Sequence, residues 1–254
     1  MDRYTISKPP KVFEIETSSL CNLRCVMCPQ SLMGEHGVQR PNHLDHDVAR
    51  KLIPLVSSGE THCVSLHGIG EPFLSKSFWD ILPNIHESCM NIQANTNLTV
   101  LTDKMLNILS ESNMTLLNVS MDSPYPEMYK KIRGFELEVV LDNMRKLVEA
   151  RDSQKDSRLK IFSNMTLMKC NIDSVIDFLD LVIGDIGLDG AELWPLNNWG
   201  TTANARYHQT KNDWTFDYNE QGPWNFEDEY FEKLEDAKQY AKSKQWNLRI
   251  YEKL

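Results

Sequence analysis

The sequence lacks any uninterrupted apolar run of the ~18 residues that a membrane-spanning helix needs. Its N-terminus also lacks the apolar segment of a secretory signal, so we predict a cytoplasmic protein with no membrane partner. Positive charge is scarce as well, since 27 Lys and Arg stand against 36 Asp and Glu, a formal net charge of −9. Because an acidic surface repels nucleic acid, no nucleic-acid partner is expected.

Cysteine is sparse and unevenly placed, with six residues among 254. Cys63, Cys89 and Cys170 stand singly and are expected to be small buried residues. The other three lie together near the N-terminus. In a chain with no secretory signal, such a group indicates metal ligands rather than a disulfide framework.

What the sequence does contain is a regular alternation of short β-rich runs and longer amphipathic stretches. The predicted strands are Val12–Glu16, His62–Leu66, Asn91–Ala94, Leu116–Ser120, Leu159–Thr166 and Ala191–Pro195. The predicted helices are Asp45–Ser57, Lys76–Glu87, Asp103–Ser110, Leu137–Ala150 and Ile172–Ile183, with Asp45 and Asp173 as N-caps. This order predicts an α/β fold with a parallel sheet, a partial (β/α)6 TIM-like barrel open on one side. A flat doubly wound sheet is the alternative.

Each predicted strand turns polar toward its C-terminal end on every second residue. The polar sets are Glu14/Glu16, Ser65/His67, Asn95/Asn97, Asn118/Ser120/Asp122, Asn164/Thr166 and Glu192. Active sites of parallel barrels lie at this end of the strands, so the pattern favours a shared polar mouth. The alternative is that these are ordinary polar turn residues.

The character of the chain changes after Pro195. Leu196–Gly222 has no sustained period and is predicted to be a loop, followed by a helix over Glu227–Lys242 and a strand over Trp246–Tyr251. We therefore divide the chain into a core barrel, residues 1–205, and a short C-terminal α/β extension, residues 206–254. Five of the six Trp lie after residue 190 and are expected to pack the extension onto the barrel, a substrate-stacking role being the alternative.

Cys21, Cys25 and Cys28 follow the first predicted strand with the spacing Cys-x3-Cys-x2-Cys. Thiolates suit iron–sulfur clusters or zinc. Three cysteines on one loop can hold three irons of a cube and leave the fourth iron open, as a catalytic centre requires. A zinc site completed by His36 or His43 is the alternative, although the second cysteine pair usual for zinc is missing.

The triplet resembles the signature of the radical S-adenosylmethionine (SAM) superfamily. His67–Leu74 resembles the Gly-Gly-Glu motif of that family. Val119–Ser123, followed by Tyr129–Gly134, resembles the fourth-strand segment of the branch that includes the SPASM and twitch enzymes. The resemblance runs from about residue 10 to about residue 200.

The resemblance implies one [4Fe-4S] cluster on Cys21, Cys25 and Cys28, SAM as cosubstrate, and a one-electron donor such as a flavodoxin or ferredoxin. Reductive cleavage of SAM would give a 5′-deoxyadenosyl radical that abstracts hydrogen from a substrate. The resemblance implies that Gly70 and Glu71 bind the SAM ammonium, and that Ser120 and Arg133 bind its carboxylate or its ribose hydroxyls. It also implies that Asp122 accepts a hydrogen bond from a ribose hydroxyl and that Met27 packs near the adenine. The softer candidates for the wall of this site are Asn95, Thr96, Asn97, Asn164, Thr166 and Leu196.

That branch usually carries auxiliary clusters on later cysteines, and here no cysteine follows Cys170. The resemblance thus implies one cluster and a redox-neutral outcome: epimerisation, isomerisation, elimination or group transfer. A small-molecule substrate is predicted. The alternatives are an enzyme that modifies a peptide or protein, and a non-catalytic iron–sulfur or zinc-binding protein.

Overall fold

The computed structural model describes residues 10–32, 42–57, 60–85, 91–197, 208–211 and 214–252, with the backbone alone for 31–32 and 208–211. Its main feature is a sheet of seven parallel strands whose spatial order follows the chain. The strands are β1 (Val12–Glu14), β2 (Cys63–Ser65), β3 (Asn91–Thr96), β4 (Leu116–Ser120), β5 (Lys160–Leu167), β6 (Gly190–Pro195) and β9 (Leu248–Ile250). The sheet does not close on itself, because β1 and β9 are its two edges. This confirms the predicted α/β fold with an open, partial TIM-like barrel.

Helices cover one face of this sheet. They are α1 (His46–Val56), α2 (Lys76–Ile81), α3 (Asp103–Glu111), α4 (Pro126–Arg133), α5 (Leu137–Ser153), α6 (Val175–Leu179), α7 (Tyr218–Gln221) and α8 (Glu227–Lys244). Apolar residues on alternate strand positions pack against them, among them Val64, Ile92 and Leu117, all fully buried. The remaining strand positions face the inside of the curved sheet. That alternation puts the polar residues of each strand on the concave side.

Two helix starts were predicted from acidic caps, and one of them is correct. Asp45 caps α1 by accepting hydrogen bonds from the amides of Asp47 and Val48, at 2.9 and 3.1 Å. Asp173 lies in a 3-10 turn before α6, and its carboxylate pairs with Lys233 at 2.7 Å instead. Asp173 therefore forms an exposed ion pair with α8 and does not cap α6.

Other predicted bounds differ for local reasons. The helix from Lys76 changes to a 3-10 turn at Leu82, where Pro83 cannot continue the α-helical hydrogen bonding. Helix α4 was missed, and it stops at Gly134 in the left-handed conformation, φ 75°. Such a glycine is a common helix terminator.

The segment after β6 is more ordered than the sequence predicted. Instead of one loop, it contains an antiparallel pair, β7 (His208–Lys211) with β8 (Trp214–Asp217), and then α7. The strand predicted at Trp246–Tyr251 forms β9 and adds to the sheet beside β6. Helix α8 is held to the barrel in part by the Tyr240 hydroxyl, which donates to Asp180 over 2.7 Å. The sheet therefore runs through both of the segments that the sequence separated.

Among the described helices, none combines the length and the apolar character that crossing a bilayer would take. Three residues singled out in the sequence, His36, Cys89 and Trp199, lie outside the described residues.

Candidate active site

The cysteine loop follows β1 and is anchored to the glycine-rich segment after β2. The Glu71 amide donates a hydrogen bond to the Leu20 carbonyl over 2.8 Å. Gly70 packs so closely that a Cβ atom there would lie 2.2 Å from the Ser18 carbonyl oxygen. Only glycine permits such an approach of two backbones. Two motifs that are distant in sequence thus form one folded unit.

The thiols of Cys21, Cys25 and Cys28 line one cavity of about 210 Å³. Cys25 is the most buried, with 8% of its surface exposed, and burial raises its pKa to about 12. Burial also raises the pKa values of Cys21 and Cys28. With these raised pKa values, the three thiols are protonated at neutral pH. Because iron binds the thiolate form, a metal must displace the proton when it binds.

Hydrogen-bond donors surround two of the sulfur atoms. The Leu23 amide nitrogen lies 3.4 Å from Cys21 Sγ, and the Asn97 amide nitrogen lies 3.6 Å from the same atom. A guanidinium nitrogen of Arg133 lies 4.0 Å from Cys25 Sγ. Such donors stabilise metal-bound thiolates and adjust the reduction potential of a cluster.

The donor set fits a cluster better than a single ion. In the part of the chain that the structure describes, no group of three or more His, Cys, Asp or Glu side chains is placed to hold one metal ion. A cube offers each thiolate its own iron, so three thiols facing one cavity are enough. His43 pairs by its backbone with Ser18. The loop therefore has the ligands for a [4Fe-4S] cluster with one open iron.

Arg133 and Asp122 form a buried ion pair behind the cysteine loop. The Arg133 Nε atom donates to Asp122 Oδ2 over 2.7 Å, and the other carboxylate oxygen accepts from the Thr166 amide at 2.8 Å. Burial by itself would lower the pKa of Arg133, but the charge of Asp122 raises it, so the guanidinium stays charged. Asp122 has no exposed surface. In this structure Asp122 orients Arg133, and its contact with a ribose hydroxyl stays a prediction.

The Glu71 side chain is likewise engaged within the protein. Its carboxylate accepts hydrogen bonds from the Phe73 amide at 3.0 Å, the Thr96 hydroxyl at 2.7 Å and the Asn97 amide at 2.7 Å. It is 3% exposed, and this burial raises its pKa despite the three donors. The carboxylate thus braces the glycine-rich segment against the end of β3. Glu71 also lines the smaller cavity, and its contact with an ammonium group stays a prediction.

Asn97 is a second residue that braces the site. Its side-chain nitrogen donates to Asn22 Oδ1 at 3.0 Å and contacts Cys21, while its oxygen accepts from the amide and hydroxyl of Thr99 at 3.0 and 2.7 Å. All of its polar capacity is thus directed at the cysteine loop and at the turn after β3. Asn97 also lines the smaller cavity, and its place in the wall around SAM stays a prediction.

The remaining predicted residues surround two adjoining cavities. The smaller is lined by the three cysteines and by Met27, Gly70, Glu71, Asn95, Thr96, Asn97, Ser120 and Arg133. The larger, of about 770 Å³, is lined by Met27, Cys28, Asn95, Asn164, Thr166 and Leu196 among others. Met27, Cys28 and Asn95 border both cavities. Asp122 alone among the predicted residues lines neither, which agrees with its burial behind Arg133.

The larger cavity is also lined by four ionisable or aromatic residues that were not predicted as site residues: Glu14, Glu16, His67 and Trp194. Glu16 accepts from the Ile69 amide at 2.6 Å and so fixes the glycine-rich segment. The signal that could have identified the first three is the two-residue period of the strands. It placed them on the inner face but gave no reason to single them out.

An aromatic ladder covers the outer side of the cysteine loop. Trp214, Phe216 and Tyr218 follow one another with ring centroids 5.8 and 5.1 Å apart, each pair edge to face. The Tyr218 hydroxyl donates to the Met27 carbonyl, next to Cys28. Phe216 is fully buried. The C-terminal segment thus closes the loop off from solvent on this side.

Comparison with known proteins agrees with this geometry. The chain is 26% identical over 181 residues to the tungsten-containing aldehyde ferredoxin oxidoreductase cofactor-modifying protein of Pyrococcus furiosus, covering 70% of this chain and 49% of that protein. It is 30% identical over 205 residues to the GTP 3′,8-cyclase of Listeria monocytogenes, covering 76% and 57%. The chain thus spans about half the length of these curated relatives.

Among solved structures, the fold resembles that of Streptococcus suis SuiB bound to S-adenosylmethionine. The TM-score is 0.70 at 15% identity, over 95% of this chain and 50% of that one. It also resembles anSMEcpe with bound AdoMet and a peptide, with a TM-score of 0.65 at 15% identity, over 94% and 62%. Residues 15–182, which include the cysteine loop and the Arg133–Asp122 pair, match the Radical SAM superfamily. The chain therefore belongs to the radical SAM superfamily of enzymes, whose cofactors are a [4Fe-4S] cluster and S-adenosylmethionine.

Proposed function

We propose that this chain cleaves SAM reductively at one [4Fe-4S] cluster and uses the resulting radical on a small molecule. The observation that carries the proposal is the shared cavity wall. Cys21, Cys25 and Cys28 line the same small cavity as Gly70 and Arg133, and that cavity adjoins a larger one. Cluster, cosubstrate and substrate would then lie next to one another.

When bound, the cluster and SAM supply a 5′-deoxyadenosyl radical that removes a hydrogen atom from the substrate. The residues of the chain orient the participants. Arg133, held by Asp122, presents its remaining guanidinium donors to the carboxylate of SAM. Ser120, whose hydroxyl is 3.2 Å from Asn164, serves the carboxylate or ribose. The backbone at Gly70 receives the ammonium, and Met27 packs against adenine.

The size of the larger cavity supports a small-molecule substrate. About 770 Å³ lies within the ~300–1,000 Å³ typical of sites for small molecules. We further propose a redox-neutral outcome at the cluster on Cys21, Cys25 and Cys28: epimerisation, isomerisation, elimination or group transfer. A flavodoxin or ferredoxin would supply the single electron.

The test is anaerobic reconstitution with iron and sulfide, followed by dithionite and SAM. We expect 5′-deoxyadenosine and methionine by chromatography, together with the visible absorbance of the cluster. Cys25→Ala should abolish both signals. Cys63→Ala, which changes a cysteine outside the loop, is the matched control and should retain both. A chain that carries the cluster but releases no 5′-deoxyadenosine would overturn the proposal in favour of a non-catalytic iron–sulfur protein.

A further inference from the structure

One wall of the larger cavity carries negative charge. Glu14 and Glu16 on the β1 side line it, and no Lys or Arg stands among the described residues that do. Glu16 already binds the Ile69 amide. For the Glu14 carboxylate, the described part of the chain provides no ion-pair partner, so its charge is available to a ligand.

His67 adds a hydrogen-bond acceptor to the same wall. Its Nδ1 atom is buried and has no hydrogen-bond partner among the described residues. Burial lowers the pKa of this imidazole, although the nearby charge of Glu14 opposes the shift. The ring is therefore neutral at pH 7, and one of its nitrogens is an acceptor. A ligand that donates hydrogen bonds and carries positive charge complements this wall.

The opposite wall is aromatic. Trp194 lies on β6, toward the other edge of the open sheet from β1. It stacks on Tyr251 with ring centroids 3.5 Å apart and planes within 13°, and its indole nitrogen lies 3.2 Å from Glu192 Oε2. Glu192 is neutralised in turn by Arg249 at 3.0 Å. These two contacts hold the indole of Trp194 in a fixed orientation in the wall of the cavity.

From these two walls we propose that the substrate bears an amine close to a planar or apolar group. The amine lies toward Glu14 and His67, and the planar group packs on Trp194. A phosphate or carboxylate in the same place would face two carboxylates and no described cation. This substrate class rests on the proposed function, because it assumes that the larger cavity is where the radical meets its substrate.

The experiment compares three probes. Tryptamine and indole-3-propionate share an indole and a two-carbon linker, which ends in an ammonium in the first and in a carboxylate in the second. GTP serves as a phosphate-bearing probe. Binding of each to the reconstituted enzyme with SAM is measured by isothermal titration calorimetry. We expect tryptamine to bind at least about fivefold more tightly than either anion, the effect of one partly exposed charge pair.

Three variants assign the effect to the two walls. Glu14→Gln should remove the preference for the amine, whereas Glu111→Gln, which neutralises an exposed carboxylate of α3, should keep it. Trp194→Ala should weaken tryptamine by about tenfold, and Trp194→Phe should keep most of the affinity because a planar face remains.

Equal or tighter binding of an anionic probe overturns the proposal, as does the absence of tryptamine binding or a Glu14→Gln enzyme that keeps the preference. The production of 5′-deoxyadenosine from SAM is measured in the same preparations. Cleavage without amine preference rejects the substrate class alone. Loss of cleavage in the unmodified chain rejects the proposed function itself.

Discussion

Asp122 holds Arg133 against the cysteine loop through a 2.7 Å ion pair between Nε and Oδ2. The exposed fraction is 8% for the Arg133 side chain and 0% for the Asp122 side chain. The pair joins the end of α4 to the end of β4. The second carboxylate oxygen of Asp122 accepts a hydrogen bond from the Thr166 amide in β5. One carboxylate thus connects β4, α4 and β5 at the point where the cosubstrate would bind.

Replacing Asp122 by Asn should destabilise the fold strongly, because a buried guanidinium would lose its counter-charge. We expect a loss of about 3–5 kcal/mol in the free energy of unfolding, measured by urea denaturation under anaerobic conditions. Asp142→Asn is the control, since Asp142 pairs with Arg145 on an exposed face of α5 and should change stability by less than about 0.5 kcal/mol. Similar losses in the two variants would contradict this prediction.

Replacing Arg133 by Lys should weaken SAM binding while leaving the cluster in place. Lys keeps the charge but cannot bond Asp122 and a cosubstrate carboxylate through one rigid fork. We expect the Kd for SAM to rise by about tenfold, measured by equilibrium dialysis on the reconstituted enzyme. Arg145→Lys, at an exposed position, should leave the Kd unchanged. An unaltered Kd in Arg133→Lys would remove Arg133 from the SAM site.

Replacing Gly70 by Ala should displace the cysteine loop. The added methyl would meet the Ser18 and Leu20 carbonyl oxygens at 2.2 and 2.6 Å, so one backbone must move. We expect iron content after reconstitution to fall well below that of the unmodified chain, with a stability loss of about 1–3 kcal/mol. In Gly184→Ala the methyl would meet only the Trp246 ring at 3.3 Å, so full iron loading is expected there.

Replacing Tyr218 by Phe should make the cluster more sensitive to oxygen. The substitution removes the hydroxyl that holds the aromatic ladder to the Met27 carbonyl and leaves that carbonyl without its partner. We expect the visible absorbance of the reconstituted cluster to bleach faster in air, with SAM cleavage under anaerobic conditions little changed. Tyr125→Phe, which removes an exposed hydroxyl bonded to Asp177, is the matched control. Equal bleaching rates would show that the ladder does not protect the cluster.

The sequence was sufficient for the order of the seven parallel strands and for most residues that line the two cavities. Both depend on local signals: a spacing of three cysteines, a glycine pair before Glu71, and a polar residue at every second strand position. A two-residue period indicates which face of the sheet a side chain occupies, and both cavities lie on the concave face. Asn95, Ser120 and Asn164 were selected in this way, and all three line a cavity.

What the sequence could not supply is the partner of each polar group. Glu71, Asn97 and Asp122 lie at strand ends like their neighbours, yet their side chains accept hydrogen bonds from backbone amides and, for Asp122, from Arg133. The pairing of β7 with β8 was missed because the sequence near them has no glycine, the usual hairpin signal. The pairing of β9 with β6 is a long-range contact that no local pattern specifies.

The place of β9 has a consequence for how the protein is made. Tyr251 stacks on Trp194, and Arg249 pairs with Glu192. Arg249 lies in β9 and Tyr251 directly follows it, so both are synthesised long after β6. A nascent chain that has just left the ribosome at β6 would have its cysteine loop and glycine-rich segment but an unfinished substrate wall. Until β9 is made, the Trp194 ring lacks its stacking partner and the Glu192 carboxylate lacks its counter-charge. The cysteine loop and the aromatic wall of the larger cavity therefore depend on segments that are synthesised at different times.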